Sequence, residues 1–489
     1  MNIFKKIGEF IMSLFKEKAE SIFDVSVIRS SDMENAQGLW NSIIKGDPEW
    51  TGENIRSIKF GKFLCQYAAK KACLEVAISV EGSERADFID KIIKNMVSKT
   101  LRDKVEDVAG LGGIILKPNG NANPSNAIDY ILPWNFCITE QSTNGDILGI
   151  VFFDRITRND TYYTRLEYHH FISGRTEDGQ DGRYYQIINK AYKSTDKSEL
   201  GREVALDVLP EWALLEPIAT ANNVEKPLFA YLKMPWNNTI DYTSPEGVSI
   251  FANCIEELRD LDIAWSLKGN EVEDSQHITF IDESALTKRG AKGQEYRRTD
   301  LPRFVKGLRM GVDSNSTIDE HVPTMLTADR IADINSTLSM ISTKAGFSQG
   351  QFILDRKSGR ITATQIESDD SETVETITDI RSSIKSAIKD LVYALDKYCD
   401  LIYGLPSGYV NVLDDNVPDE DIFYFKDLLA SFEQDRDRAY KLMIQGIYSK
   451  KKYLMEYEGF SEEEAMQMLA DVEVEKKKEE SGTGLFDEE

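Results

Sequence analysis

Side chains able to do chemistry are scattered thinly along this chain. Carboxylates come in pairs at Asp369-Asp370 and Asp414-Asp415, with Asp262 as a third candidate, and such groups could hold Mg²⁺ for phosphodiester hydrolysis. A nuclease centre needs two or three of them to converge, usually beside a lysine. Asp369 and Asp370 fall in the first turns of an expected capped helix, where acids complement the dipole, so a solvated helix face is the reading for them. His169 and His170 are neighbours in a strand pattern. Their side chains therefore point to opposite faces and cannot share a metal, and both are expected to be structural. The sequence has no G-x-x-x-x-G-K-[ST], no G-x-S-x-G and no H-E-x-x-H, which argues against a Walker-type ATPase, an esterase elbow and a zinc protease. "GLGG" at 110–113 lacks dinucleotide-binding spacing and reads as a turn. Neither a cofactor nor a metal is expected.

Charge gives the positive signal. With 83 acidic and 58 basic residues the net charge is −25. That balance disfavours a protein gripping nucleic acid over its whole surface, but not one that lets DNA pass without sticking. Against this background Lys344, Arg356, Lys357 and Arg360 form a basic cluster. Three of the four lie in "ILDRKSGRITATQIESDD" (353–370), which reads as a short strand, a Ser-Gly turn and a helix start. Thr362 with Gln365, and Thr364 with Glu367, both fit the capping-box spacing. A second patch, Lys288, Arg289, Lys292, Arg297, Arg298 and Arg303, lies within 287–307 and suits phosphates or acidic protein partners.

The elements that must hold these residues imply an α+β chain of two to four domains. "NIRSIKFGKFLCQYAAKKACLEVAISVEG" reads as a helix running into a strand, and "ADFIDKIIKNMVSKTLRDKVEDVAGLGG" as one long helix ending at glycines. Five β-type runs follow up to about residue 194, separated by Asn-, Gly- and Asp-rich turns, as an antiparallel meander requires. Ser244, Pro245 and Glu246 are expected to be N-cap, N1 and N2 of a helix. Its apolar face would be Phe251, Cys254, Leu258, Leu261 and Trp265. Residues 275–325 lose helical period and suggest a small β-containing module. A second helix, with Ile331, Ile334, Leu338, Ile341 and Ala345 on one stripe, should stop at Gly346. A very long helix, with Ile377, Ile380, Ile384, Ile388, Leu391 and Leu395 in an unbroken three-four rhythm, is expected over about 363–403, roughly 60 Å at 1.5 Å per residue. "GYVNVLDD" reads as one more strand, and the remainder to about 472 as helical, with a capping box from Ser461 to Glu464. A charged tail closes the chain.

The N-terminal "MNIFKKIGEFIMSLFKEKAESIF" puts Ile3, Phe4, Ile7, Phe10, Ile11, Leu14 and Phe15 on one stripe interrupted by lysines. It lacks the h-region and cleavage site of a signal peptide. Packing on the body or on a neighbouring subunit is the favoured reading, and lying on a membrane surface is the other. No run is long and apolar enough to cross a bilayer. The five cysteines, Cys65, Cys73, Cys137, Cys254 and Cys399, include no C-x-x-C pair, which fits a reducing compartment and argues against a disulfide framework or a structural zinc.

"YLKMPWNNTIDYTSPEGVSIFANCIEELRDLDIAWSLKGNEVE", then "ADRIADINSTLSMISTKAGFSQGQFILD" and "RITATQIESDD", closely resemble the portal proteins of tailed bacteriophages. The similarity is to the branch common in long-tailed phages of Gram-positive hosts, clear over about 228–400 and weaker on the flanks. Where many relatives carry Glu after Thr-Ala-Thr, this chain has Gln365. The resemblance implies a non-enzymatic subunit of a typically twelve-membered ring around a DNA channel. Its parts would be an N-terminal helix and wing (1–243), stem helices (244–274 and 326–346), a clip (275–325) and a tunnel loop (347–361). A long helix with a wing strand (362–415), a helical crown (416–472) and a disordered tail (473–489) would follow. The implied partners are double-stranded DNA passing non-specifically, the terminase large subunit, major capsid and scaffolding proteins, and a head-tail connector, with assembly in the host cytoplasm and residence at a virion vertex. The basic cluster would then touch DNA from the tunnel loop, and the second patch would dock motor or connector. A metal-dependent nuclease, for which the carboxylates must converge, and a helical scaffold or tail adaptor are the alternatives.

Overall fold

A computed structural model describes residues 16–28, 30–175, 181–274, 278–282, 287–289, 295–297, 305–308, 318–321, 326–354, 371–426, 428, 439–444, 448–457, 460 and 465–469. The chain divides into two compact units, residues 1–425 and 426–489.

Unit one is α+β. Helices α1 (16–23), α2 (Ser31–Lys45) and α3 (Phe60–Ala72) lead through the short strand β1 (Ala77–Ile78) to α4 (Glu84–Lys99) and α5 (Leu101–Leu111). The single long helix expected here is instead broken at Thr100, whose ψ is −26° at a φ of −126°. The Thr100 hydroxyl bonds the Met96 carbonyl at 3.1 Å and the Tyr130 hydroxyl at 2.6 Å, anchoring the corner.

Strands β2 (Gly113–Pro118), β3 (Ile128–Ile131), β4 (Phe136–Gln141), β5 (Ile147–Arg158), β6 (Thr161–Arg175), β7 (Asp181–Ser194), β8 (Arg202–Val204), β9 (Ile218–Ala221) and β10 (Ala230–Lys233) follow. They form the expected antiparallel meander, β4-β5-β6-β7-β8 with β9 also beside β7, and a smaller sheet ordered β10-β2-β3. Phe136, Ile138, Ile150 and Phe152 of the large sheet pack with Ile115 of the small one and Phe229. Helix α1 covers the other face, where Ala19, Ile22 and Phe23 meet Val151, Phe153, Leu166 and Tyr168. The whole N-terminal stripe, Ile3 to Phe15, lies outside the described residues.

Between the sheets sits a buried ionic cluster. Glu167 on β6 receives Lys117 Nζ from β2, Arg165 at 3.0 Å and His169 Nε2 at 2.8 Å. Because the Glu167 carboxylate can only accept, His169 Nε2 donates to it, and Nδ1 accepts the Tyr185 hydroxyl proton at 2.9 Å while that hydroxyl accepts the Leu228 N–H at 3.2 Å. That fixes His169 as the Nε2–H tautomer. Burial alone would raise the Glu167 carboxyl, but Lys117 and Arg165 outweigh it and hold it well below the ordinary range. Burial likewise lowers His169, against the pull of Glu167, and keeps it neutral. His170 points the other way, stacked on Tyr168 at 4.3 Å. Both histidines are structural, on opposite faces.

The segment after β10 corrects the expected helix start. Residues 244–251 are all buried and not helical. Ile250 donates to the Ala109 carbonyl at 2.8 Å rather than to residue 246, whose carbonyl is taken by Asn238 at 3.1 Å. Ser244 therefore caps no helix: its hydroxyl accepts the Glu246 N–H at 3.3 Å within a buried strap. The strap needs Gly247, because a Cβ there would stand 2.2 Å from the Gly112 carbonyl oxygen. After a short 3₁₀ turn (Ala252–Cys254), helix α6 begins only at Ile255 and runs to Asp274.

The β-containing module expected at 275–325 is present. Strand β11 (Ile278–Asp282) lies between β14 (Val305–Leu308), parallel to it, and β15 (Ile318–His321), antiparallel. β12 (Thr287–Arg289) pairs with β13 (Glu295–Arg297). Helix α7 (Thr327–Lys344) then ends as expected at Gly346, with φ 78°.

Helix α8 (Ser371–Tyr398) buries Ile377, Ile380, Ile384, Ile388, Leu391 and Leu395, the whole stripe expected of it. Its 28 residues span about 42 Å and continue into a π turn, Cys399–Tyr403, stopped at Gly404. Arg85, on α4, donates to Asp396 and Asp400 and to the carbonyls of Leu405 (2.7 Å) and Pro406 (2.9 Å), tying this end to the body. "GYVNVLDD" is not a strand but holds a 3₁₀ turn, Asn411–Leu413, because Asn411 bonds sideways to Glu81 and Ser79. The strand pairing with β1 is instead β16 (Phe423–Tyr424).

Unit two has helical stretches at 439–444, Lys450–Tyr457 and 465–469. The cap Ser461–Glu464 and the tail lie outside the described residues. No helix among the described residues is long and apolar enough to cross a membrane.

Candidate functional site

Helices α6 and α7 form an antiparallel pair with the β module between them in sequence. Two ion pairs fix the register: Glu257 with Lys344 at one end, and Glu271 with Arg330 at the other. On each helix the two members are about four turns apart, so the registers agree along roughly 21 Å. Glu271 also accepts the Leu326 N–H at 2.6 Å, capping the start of α7. Leu258, Leu261, Ile334, Leu338 and Ile341 are buried, while Trp265 is 37% exposed.

Beyond Gly346 the chain reaches a clasp. The Ser348 N–H donates to Thr373 Oγ1 at 3.0 Å, the Thr373 N–H donates to Ser348 Oγ at 3.2 Å, and the two hydroxyls are 2.9 Å apart. Thr376 Oγ1 bonds the Gly346 carbonyl. Next to the clasp, Phe347 and Phe352 sit edge-on to Tyr67 at 5.4 and 5.2 Å, and Phe352 also meets Phe60 and Phe63 of α3 at 5.6 Å each. Gln351 Nε2 donates to the Tyr67 hydroxyl at 2.8 Å. The clasp thus joins side chains 25 residues apart in sequence, on either side of residues 355–370, which lie outside the described residues.

The sequence-expected site residues fall unevenly on this frame. Lys344 belongs to the helical pair, bound to Glu257, rather than to the loop. Arg356, Lys357 and Arg360, with the caps Thr362 and Thr364, lie outside the described residues, as do Asp369 and Asp370. Of the second patch, Lys288 and Arg289 stand on β12 opposite Tyr296 and Glu295, and Arg297 stands on β13 opposite Thr287. Lys292, Arg298 and Arg303 lie outside the described residues.

Two of the candidate carboxylates, Asp262 and Asp414, are engaged in structural bonds. Asp262, 4% exposed, accepts the Trp50 indole N–H and the Ile58 N–H, each at 2.9 Å. Burial raises its carboxyl against those two bonds. Its role is to hold residues 50–58 against α6. Asp414 accepts from Asn416 and Tyr409 in a local turn. No group of three or more metal-capable side chains occurs among the described residues. The five cysteines are free thiols.

Sequence reading missed the clasp and both cross-helix pairs. A signal for the pairs was present: Glu257 and Glu271 share the spacing of Arg330 and Lys344 in mirror order. The Ser348–Thr373 clasp has no local signal.

No family model and no curated protein matches the chain. Among solved structures it is similar to a chain of the virion of a native gene transfer agent (GTA) particle. That likeness covers 85% of this chain and 92% of the other, at 10% identity and a TM-score of 0.37, too distant to assign a fold or a role.

Proposed function

We propose that this chain is the subunit of a portal, a ring-shaped conduit for double-stranded DNA at the capsid vertex of a tailed phage. The observation that carries the reading is the register-locked pair α6/α7, which holds a small β module at one end and opens at the other, past Gly346, on the clasp from which a basic segment departs. In portal terms the pair is the stem, the module the clip, residues 347–361 the tunnel loop, and α8 the long helix beside the wing.

Charge supports the same reading. A ring multiplies each subunit's net charge of −25, and acidic side chains lining its bore would repel phosphate. Each cation–phosphate contact is favourable through counterion release, and a cation-lined channel would brake the DNA. A few loop cations around an acidic bore give weak, repeated, sequence-independent contacts. The subunit has no chemistry to perform: a separate terminase motor drives packaging, capsid and scaffolding proteins enclose the ring, and a connector later joins the tail.

Negative-stain images or native mass spectra of the purified protein are expected to give a ring, typically twelve-membered, with a central hole. A stable monomer at micromolar concentration would count against the reading. Replacing Arg356, Lys357 and Arg360 together with alanine should leave the ring intact and alter DNA packaging or retention. Unchanged packaging in that variant removes the loop contact while leaving the ring standing.

A further inference from the structure

Helix α3 has an unusual charge environment. From Asn54 to Leu74 there is no acidic residue, while Arg56, Lys59, Lys62, Lys70 and Lys71 supply five cations, in a chain where acids outnumber bases. Leu64, Cys65, Ala68, Ala69 and Ala72 are buried, so α3 presents its other face outward. Lys59, Phe63, Gln66 and Lys70 are exposed, with Lys62, Tyr67 and Lys71 half-buried beside them. Phe63 keeps 44% of its surface in contact with solvent despite packing on Phe60 and Phe352. Among the described residues Lys59, Lys62 and Lys70 form no ion pair, and Lys71 lies over the Tyr67 ring at 5.7 Å.

The complement is on α8. Glu372, Glu375 and Asp379 are exposed and, at i, i+3 and i+7, share one helix face. They too form no ion pair among the described residues. The acidic stripe is about 10 Å long and the span from Lys62 to Lys70 about 12 Å, so the two match in length as well as sign. Because Arg381 of α8 donates to the carbonyls of Ala72 and Lys71 at the end of α3, the two helices are held rigidly within one subunit.

We infer that the basic-aromatic face of α3 docks on the acidic face of α8 in a second copy of this chain. The inference rests on the ring reading above. A closed ring is built from two different, mutually complementary faces of one subunit, and these are two unpaired faces of opposite charge. Double-stranded DNA would match the lysines but offers no apolar surface to an exposed phenylalanine. An aromatic ring amid charges is instead the composition of a protein interface.

Sedimentation velocity of the full chain over a concentration series tests this. With an assembled parent, K62E/K70E should raise the concentration for half-assembly by at least roughly tenfold, E375K/D379K should do the same, and the four changes combined should restore assembly. The parent's melting curve, retained by each variant, shows that the fold is intact. An assembled parent indifferent to either reversal, or a fourfold variant that stays dissociated, overturns the contact alone. So does a reversal that spares assembly but lowers retention on double-stranded DNA, which would make α3 a nucleic-acid surface. A monomeric parent sinks the ring reading, and this contact with it.

Discussion

Gly247→Ala should abolish the stable fold or lower its stability by about 3 kcal/mol or more, an unusually large effect for one methyl group. The new Cβ would stand 2.2 Å from the Gly112 carbonyl oxygen and 3.0 Å from Lys233 Cβ. Gly112 cannot yield, because its own φ is +89° and its carbonyl accepts the Met234 N–H at 2.9 Å. Relief requires lifting the strap at 244–251 away from α5 and β2. That would break the bonds from Ile250 to Ala109 and from Gly247 to the Tyr231 hydroxyl, and would free the start of α6. Gly112→Ala should behave alike, since its Cβ would meet the Gly247 carbonyl oxygen at 2.3 Å. Gly52→Ala, with nothing within 4 Å, is the control. Thermal melts followed by circular dichroism decide the matter. A Gly247→Ala protein melting with the parent would show that the strap can move.

Glu167→Gln is the second large effect, expected at about 3–5 kcal/mol, because it leaves Lys117 and Arg165 buried around a neutral amide. The same cluster predicts sensitivity to acid. His169 is held below its ordinary 6.5, so the unfolded chain takes up a proton that the folded chain refuses, and stability falls as pH drops through about 6.5. Glu167 is held below its ordinary 4.5, so its contribution is fully present above that value and is lost as pH falls further. Both act in the same direction. Urea midpoints measured from pH 8 to pH 4 should decline toward acid, with a flatter decline below 4.5 in Glu167→Gln. A variant as stable as the parent, or a midpoint independent of pH, would show that the cluster carries little of the fold.

Elements with a strong local period were legible in the sequence. The α8 stripe, the α7 stripe ending at Gly346, the β4–β7 meander and the opposed pair His169/His170 all depend on neighbours in sequence. What was not legible depends on distant groups. Ser244-Pro245-Glu246 has the residue types of a helix start, and only the closeness of Gly112 makes the backbone extended there. Asp262 reads as a candidate metal ligand until Trp50 and Ile58 are placed against it. Lys117 and Glu167 lie fifty residues apart, and nothing near either one points to the other. The candidate site was half legible: the paired helices and the basic segment could be read, but the clasp that gives the segment its origin could not.

That clasp also bears on the thermodynamics of the polymer. Closing a chain segment on itself costs entropy that grows only slowly with contour length, about 0.6 kcal/mol per doubling. Here the ends are held together by Ser348, Thr373 and the rings around Phe352, so closure is met by contacts outside the intervening segment. A flexible insertion that doubled the 25-residue separation of Ser348 and Thr373 would therefore cost the clasp only about 0.6 kcal/mol of closure entropy.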